Sequence, residues 1–413
     1  MLSRHVRLER DTIWLSFADI IALLVGIAVH VVLTQAFSNG DYGRWILLLD
    51  LYYVLSTIID LGLPTLIGRD SERLGKHAHQ LVSQSLNLQS KFAIPIILLA
   101  GFIGWFWVGN GIDWLVASFI LIISACTQIL TYAHRAALRS LGESRQEALV
   151  RFVDRGATAI GIVIVVWLLG ASPIPLALAT FMGPMVAIII AINLGEKKLE
   201  DSTDNGLCLE TKNVSDQQLM KLGFPFLMAA IALVVNIRVE KILLGVIATP
   251  NAVETFQIAW LAFIAGYALI LSIRAVMLSW YGEVRHDYSR LMVRRKRARI
   301  LLIPAAVIGI LIGYSLGRFS IGWIFPDYAN ESSPVFMILL VSWLFALLAS
   351  EPLTAIQIGK KPSVYAGILW LGILIDAVIC IILIPSTGVF GAAIGSAFGT
   401  VSVLGLAIGW AES

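Results

Sequence analysis

The chain has 413 residues, 58% of them hydrophobic and 14% charged, with a formal net charge of +3. Soluble domains carry roughly 25% charged residues, and no single soluble core could hide this much apolar surface, so the composition marks an integral membrane protein. Three cysteines, Cys126, Cys208 and Cys380, stand far apart in no metal-ligand spacing, which argues against a disulfide framework or a zinc site.

In chain order, apolar runs of spanning length fall at 12–37, 44–67, 92–109, 113–133, 152–170, 173–194, 222–247, 255–280, 300–317, 334–356, 364–384 and 388–410. A membrane helix needs about 20 apolar residues, so these runs predict an all-α integral membrane protein with about 12 transmembrane helices. The first run is long enough to span and stay, which predicts no cleavable signal peptide. Numbering the loops alternately from a cytoplasmic N-terminus puts 25 of 30 basic residues inside, as the positive-inside rule requires. These include Arg135, Arg139, Arg145, Arg151 and Arg155 after helix 4, and the run from Arg285 to Arg299 after helix 8. Outer loops keep Arg44 and Arg318, while Arg238, Lys241 and Arg274 fall within the membrane. A miscounted helix would scramble the alternation in every later loop, so both termini are expected in the cytoplasm. The stretch RLMVRRKRAR (290–299) is read as a cytoplasmic loop meeting anionic headgroups, not as a nucleic-acid site.

Several helices carry charge. Helix 1 holds Asp19, and helix 2 holds Asp50 and Asp60; the last precedes Leu61-Gly62-Leu63-Pro64, where proline frees backbone groups that a carboxylate can satisfy. Helix 7, predicted as one continuous helix, contains VVNIRVEKILLG (234–245), which sets Arg238, Glu240 and Lys241 among apolar residues. Arg238 lies about nine residues from the outer end, roughly 13 Å deep at 1.5 Å per residue. Arg238 and Lys241, three apart, share a face that Glu240 does not; Glu240 is expected to pair with another helix and leave both cations available together. Helix 8 adds Arg274 and helix 11 adds Asp376. A charge at such depth costs about 2.5–3.5 kcal/mol on insertion scales and normally faces a bundle interior or a wet cavity. The cations suit an anionic substrate group; the carboxylates suit gates or the uptake of coupling ions. In helix 12, Gly391, Gly395 and Gly399 are read as small-residue packing and not as a phosphate loop.

The polar stretch 196–220 separates two sets of six helices, giving an N-terminal bundle over 1–195, a cytoplasmic linker, and a C-terminal bundle over 221–413. The halves resemble one another. Superposing Tyr42 on Phe256 gives an offset of 214 and sets Asp60 against Arg274; Leu141-Gly142-Glu143-Ser144 matches Ile358-Gly359-Lys360-Lys361 at an offset of 217. Six helices per half keep both copies in one orientation, a plan in which the substrate site lies between halves that rock. On this plan Asp60 and Arg274 are expected to pair and close the cytoplasmic side.

No Walker-type sequence, Ser/His/Asp set or metal cluster is present, and the outer loops are short. The chain is therefore not expected to be an enzyme, and a glycan polymerase would call for a large outer loop.

DLGLPTLIGRD (60–70), HRAALRSLGESR (134–145), EKILLG (240–245), FPDYANESSPVFMILLVSW (325–343) and GVFGAAIGSAFGT (388–400) resemble the polysaccharide-exporting flippases of the multidrug/oligosaccharidyl-lipid/polysaccharide superfamily, which includes the O-antigen flippases. The resemblance spans nearly the whole chain and agrees in helix number. It implies a flippase of the bacterial inner membrane, moving undecaprenyl-pyrophosphate-linked oligosaccharide from the cytoplasmic to the outer leaflet by alternating access, for O-antigen or lipopolysaccharide biosynthesis. It implies no cofactor, with H+ or Na+ as candidate coupling ions. Its partners would be the lipid-linked oligosaccharide, membrane lipids and other polysaccharide-assembly proteins, with no nucleic acid. Helices 1, 2, 7 and 8 of such proteins line the central cavity. That makes Arg238, Lys241 and Arg274 candidates for substrate binding, and Asp19, Asp50, Asp60 and Glu240 candidates for gating or ion coupling. The chain departs from its relatives in flanking Glu240 with Arg238 and Lys241, where they commonly show a lone acidic residue. The competing reading is an ion-coupled exporter of drugs or other small molecules on the same two-half plan.

Overall fold

The computed structural model describes residues 21–38, 40–74, 77–108, 111–141, 143–201, 215–282, 284, 287–359 and 362–412. Among them the chain is helical and has no strands. The helices are α1 (described over Ile21–Ala36), α2 (Asp41–Asp60), α3 (Leu63–Leu74), α4 (His77–Val108), α5 (Ile112–Ser140), α6 (Ser144–Leu169) and α7 (Pro173–Asp201). Then come α8 (Asp216–Asn236), α9 (Val239–Ile247), α10 (Pro250–Gly282), α11 (Tyr288–Ile312), α12 (Arg318–Ile324), α13 (Ala329–Ile358), α14 (Pro362–Thr387) and α15 (Val389–Glu412). Among the described residues, eleven spans are long and apolar enough to cross a membrane, and α1 is a further apolar helix. This agrees with the all-α membrane architecture expected from the apolar runs.

The expected boundaries shift where the chain breaks or prolongs a helix. Helix 2 was expected over 44–67, but it stops at Asp60. Leu61 (φ 52°) and Gly62 (φ 71°) take left-handed backbone before α3 begins. Pro64 then falls in the first turn of α3, where a missing N–H costs nothing. A side chain at Gly62 would overlap the carbonyl oxygen of Gly223 in α8, so the position needs glycine for both its φ and this approach. Helix 7 was expected to be continuous, yet Ile237 and Arg238 lie outside both α8 and α9. Val234, Val235, Asn236, Ile237 and Val239 are all modest helix formers, so the break falls where helix propensity is weakest. The stretch 290–299 is not a loop: it forms the first turns of α11, whose start is capped by the Asp287 carboxylate accepting the N–H of Arg290 at 3.0 Å. A π-helical turn over Gly313–Gly317 carries this span on into α12.

The chain divides into two compact units, one of residues 1–37 and 48–234, the other of residues 38–47 and 235–413. In the first, Leu61, Leu63, Leu66, Leu88 and Leu219 form one buried cluster, which packs α3 and α4 against α8. Val150, Ala187 and Ala191 form another between α6 and α7. In the second, α14 and α15 pack closely through glycine, as the sequence led us to expect. A Cβ at Gly399 would stand 2.7 Å from the Asp376 Cβ and 3.0 Å from the Gly372 carbonyl oxygen.

Candidate functional site

In the second unit the charges gather around α9. Arg238 sits at its N-terminal edge (φ −130°, ψ −13°), half-buried, its N–H bonded to the Val235 carbonyl at 2.9 Å. Glu240 is only 1% exposed. Its carboxyl hydrogen-bonds Ser396 on α15 and Asp376 on α14, so the expected partner on another helix is a second acid. A hydrogen bond between two carboxyl groups requires a proton on one of them. The Cys380 thiol donates to Asp376 Oδ1 at 3.2 Å.

Lys241 is 4% exposed, so it does not reach for the headgroups. Its Nζ donates to Gln257 Oε1 at 3.0 Å, lies 5.7 Å from the Trp260 ring centroid, and is close enough to Glu240 to act on it electrostatically. The expectation that Arg238 and Lys241 share one accessible face is thereby corrected. The break at 237–238 detaches Arg238 from the face of α9, and α10 encloses Lys241. Further along α10, Phe256, Trp260, Phe263 and Tyr267 follow one another with ring centroids 6.1, 4.7 and 5.6 Å apart. Beyond them Arg274 is half-buried and donates from Nη2 to Tyr365 Oη of α14 at 2.8 Å.

At the start of α10, Glu254 Oε1 accepts the N–H groups of Gly40 at 2.8 Å and Gly43 at 3.0 Å, and Tyr328 donates to Oε2 at 3.2 Å. This carboxylate caps the beginning of α2, where backbone donors lack intrahelical partners.

In the first unit, Asp50 is buried on α2. Asp60, also buried, ends that helix; its Oδ1 accepts the Gly62 N–H at 2.9 Å, and Gln89 donates to its carbonyl at 3.0 Å. Asp60 and Arg274 belong to different units, and each has a partner within its own. Asp19 lies outside the described residues.

A second group of charges was missed because all five arginines between 135 and 155, including Arg155 near the start of the 152–170 run, were counted as cytoplasmic. α5 runs to Ser140 and α6 starts at Ser144, so all five are helical. Around Glu147, which has no exposed side-chain surface, stand Arg139 Nε at 2.8 Å, Arg151 Nη2 at 2.9 Å and Arg135 Nη2 at 3.8 Å. Arg155 lies three turns into α6, about 16 Å from its start at 1.5 Å per residue. It donates to Tyr53 of α2, and Tyr132 of α5 and Asp154 lie close by. The signal available in the sequence was the segment Leu141-Gly142-Glu143-Ser144, since α5 ends just before it and α6 begins at Ser144.

The model of the family described as "Polysaccharide biosynthesis protein" matches residues 8–281. Among curated proteins, none matches the sequence. An inward-facing multidrug resistance MATE family transporter of the MOP superfamily has a similar structure (TM-score 0.72, 13% identity, 97% of each chain covered). So does the lipid II flippase MurJ in an inward closed conformation (TM-score 0.71, 15% identity, 96% of this chain and 87% of that one). A third is a MOP superfamily transporter from Pyrococcus furiosus Vc1 described as having a binding pocket of reverse polarity (TM-score 0.71, 14% identity, 98% and 94% covered). At these identities the likeness shows the fold alone.

Proposed function

The chain belongs to the polysaccharide biosynthesis protein family, of the multidrug/oligosaccharidyl-lipid/polysaccharide superfamily, and from that membership we propose that it is an ion-coupled flippase for lipid-linked oligosaccharide. The substrate is a glycan joined through a diphosphate to undecaprenol, carried from the cytoplasmic to the outer leaflet of a bacterial inner membrane with both chain termini inside. The observation that carries this reading is Arg238, held half-buried at a helix break beside the buried Glu240. A guanidinium freed from helical register can turn its paired donors toward phosphate oxygens, and Arg274 supplies a second one. Lys241, behind Arg238, adds positive potential without direct contact.

Coupling follows from charge balance at Glu240. With one proton shared between Glu240 and Asp376, their single negative charge is matched by Lys241. When that proton leaves, one uncompensated negative charge remains in a low-dielectric setting, where attraction for a monovalent cation is strong. H+ and Na+ then compete for the same carboxyl pair, and Asp19, Asp50 and Asp60 act as gating groups.

The test uses proteoliposomes loaded with fluorescent lipid-linked oligosaccharide and a leaflet-accessibility readout. The expected result is a loss of about ten-fold or more in transfer for Arg238→Ala, since a charge-assisted contact is worth about 1.5–3 kcal/mol. A folded Arg238→Ala protein that transfers at the normal rate would refute the assignment. The buried acid pair equally suits an exporter of small cations; uptake of a cationic dye into the same vesicles, with no oligosaccharide transfer, would favour that reading.

A further inference from the structure

We infer that Arg155, with Tyr53, Tyr132 and Arg135, forms an oxyanion-binding site within the first unit, distinct from the Arg238 region; as a site for the cargo it rests on the flippase reading above. Arg155 keeps accessible surface about 16 Å along α6. A guanidinium at such depth is stable only where it meets water or a polar partner, because facing hydrocarbon costs several kcal/mol. Its neighbour Asp154 is buried, its Oδ2 accepts the Gln128 amide at 2.9 Å, and its charge also acts on Arg155, Tyr132 and Arg135. One donor is taken by Tyr53 Oη, and a guanidinium has five N–H groups in a fixed fork.

Besides the Asp154 carboxylate, the groups near Arg155 include a second phenol and a second guanidinium. Tyr132 is half-buried between the two arginines, with the Arg135 guanidinium carbon 4.9 Å from its ring centroid. Arg135 Nε is buried and has no hydrogen-bond partner among the described residues. Arg135, Arg139 and Arg151 already surround the single carboxylate of Glu147, so this end of the unit carries more guanidinium than carboxylate charge. Two phenol hydroxyls and two guanidinium groups with an excess of positive charge match a tetrahedral or planar oxyanion, not a cation or a neutral sugar. In a lipid-linked glycan that chemistry has two sources, the diphosphate bridge or the carboxylate of an acidic sugar.

The test titrates the full-length protein in nanodiscs with inorganic pyrophosphate and, separately, with glucuronate, by calorimetry. Wild type is expected to bind at least one of them. Arg155→Gln should weaken that binding by about ten-fold or more and Tyr53→Phe by a few-fold, with Arg155→Lys in between, since a point charge keeps attraction but loses the fork. Loss confined to pyrophosphate assigns the site to the diphosphate, and loss confined to glucuronate assigns it to an acidic sugar. The inference is overturned if wild type binds neither probe, or if Arg155→Gln and Tyr53→Phe bind both as wild type does. Should Arg155→Gln fail to fold, Arg155→Lys and Tyr53→Phe decide. Arg238→Gln serves as the separating control. Oxyanion binding that needs Arg155, in a protein that moves no lipid-linked oligosaccharide, keeps this site and discards the flippase reading; transfer that needs Arg238 with no Arg155-dependent binding does the reverse.

Discussion

On the coupling proposed above, the Glu240–Asp376 pair turns on one proton. Both side chains are buried, and the groups around them are Ser396, Cys380 and Lys241. Glu240→Gln keeps the shape and most of the hydrogen bonding while deleting the ionisable group. We expect the variant to fold with a melting temperature near that of wild type, because an amide can still bond Asp376. Its transport rate should no longer respond to Na+ or to a pH gradient; an unchanged ion response in proteoliposomes would show that coupling lies elsewhere. Glu240 was legible in the sequence as a buried acid needing a partner. That the partner is another acid was not, because Asp376 lies 136 residues later and only the fold brings the two together.

Helices carry a different lesson. Their number and apolar character were readable from hydropathy, since water exclusion sets a minimum length that few soluble segments reach. Their ends were not. Basic residues at 290–299 were assigned to a loop, and arginines at 135–155 were counted as cytoplasmic, because they are polar, yet Arg and Lys are good helix formers and the helices simply run on past the apolar stretch. This error hid Arg155, whose depth becomes apparent only once α6 is known to start at Ser144. Breaks were equally hidden, because Ile237 and Arg238 look no less helical than their neighbours. Glu254 offers a test at this scale. It ties α10 to the start of α2 through the N–H groups of Gly40 and Gly43, so Glu254→Ala leaves two donors unsatisfied at about 1–3 kcal/mol each. Hydrogen exchange should then quicken over the first turn of α2 while the middle of α10 stays protected; uniform exchange across both would mean that the cap contributes nothing local.

For the whole molecule, the sidedness of charge is the strongest inference drawn from sequence, and it can be checked directly. In a Cys208→Ser background the other two cysteines, Cys126 and Cys380, are buried. Arg290 and Asp327 are both exposed and sit toward opposite ends of the span that runs from Tyr288 to Ile324. In intact cells, a membrane-impermeant thiol reagent should label Asp327→Cys and spare Arg290→Cys, with both reacting after lysis. The opposite pattern would invert the chain and move Arg155 to the outer side. Duplication was visible only faintly, through matches such as Tyr42 with Phe256, since pairs this short carry little information. Family membership rests instead on residues 8–281 taken together.

The interruption between α8 and α9 has a mechanical consequence. It falls within a few residues of Val234, where one compact unit gives way to the other, and the same few residues hold Arg238 and Glu240. Bending the chain there need not rupture a regular helical ladder, because the ladder is already open. On the reading proposed above, protonation or cargo contact at these two side chains would act within a few residues of one of the three points where the chain passes from one unit to the other.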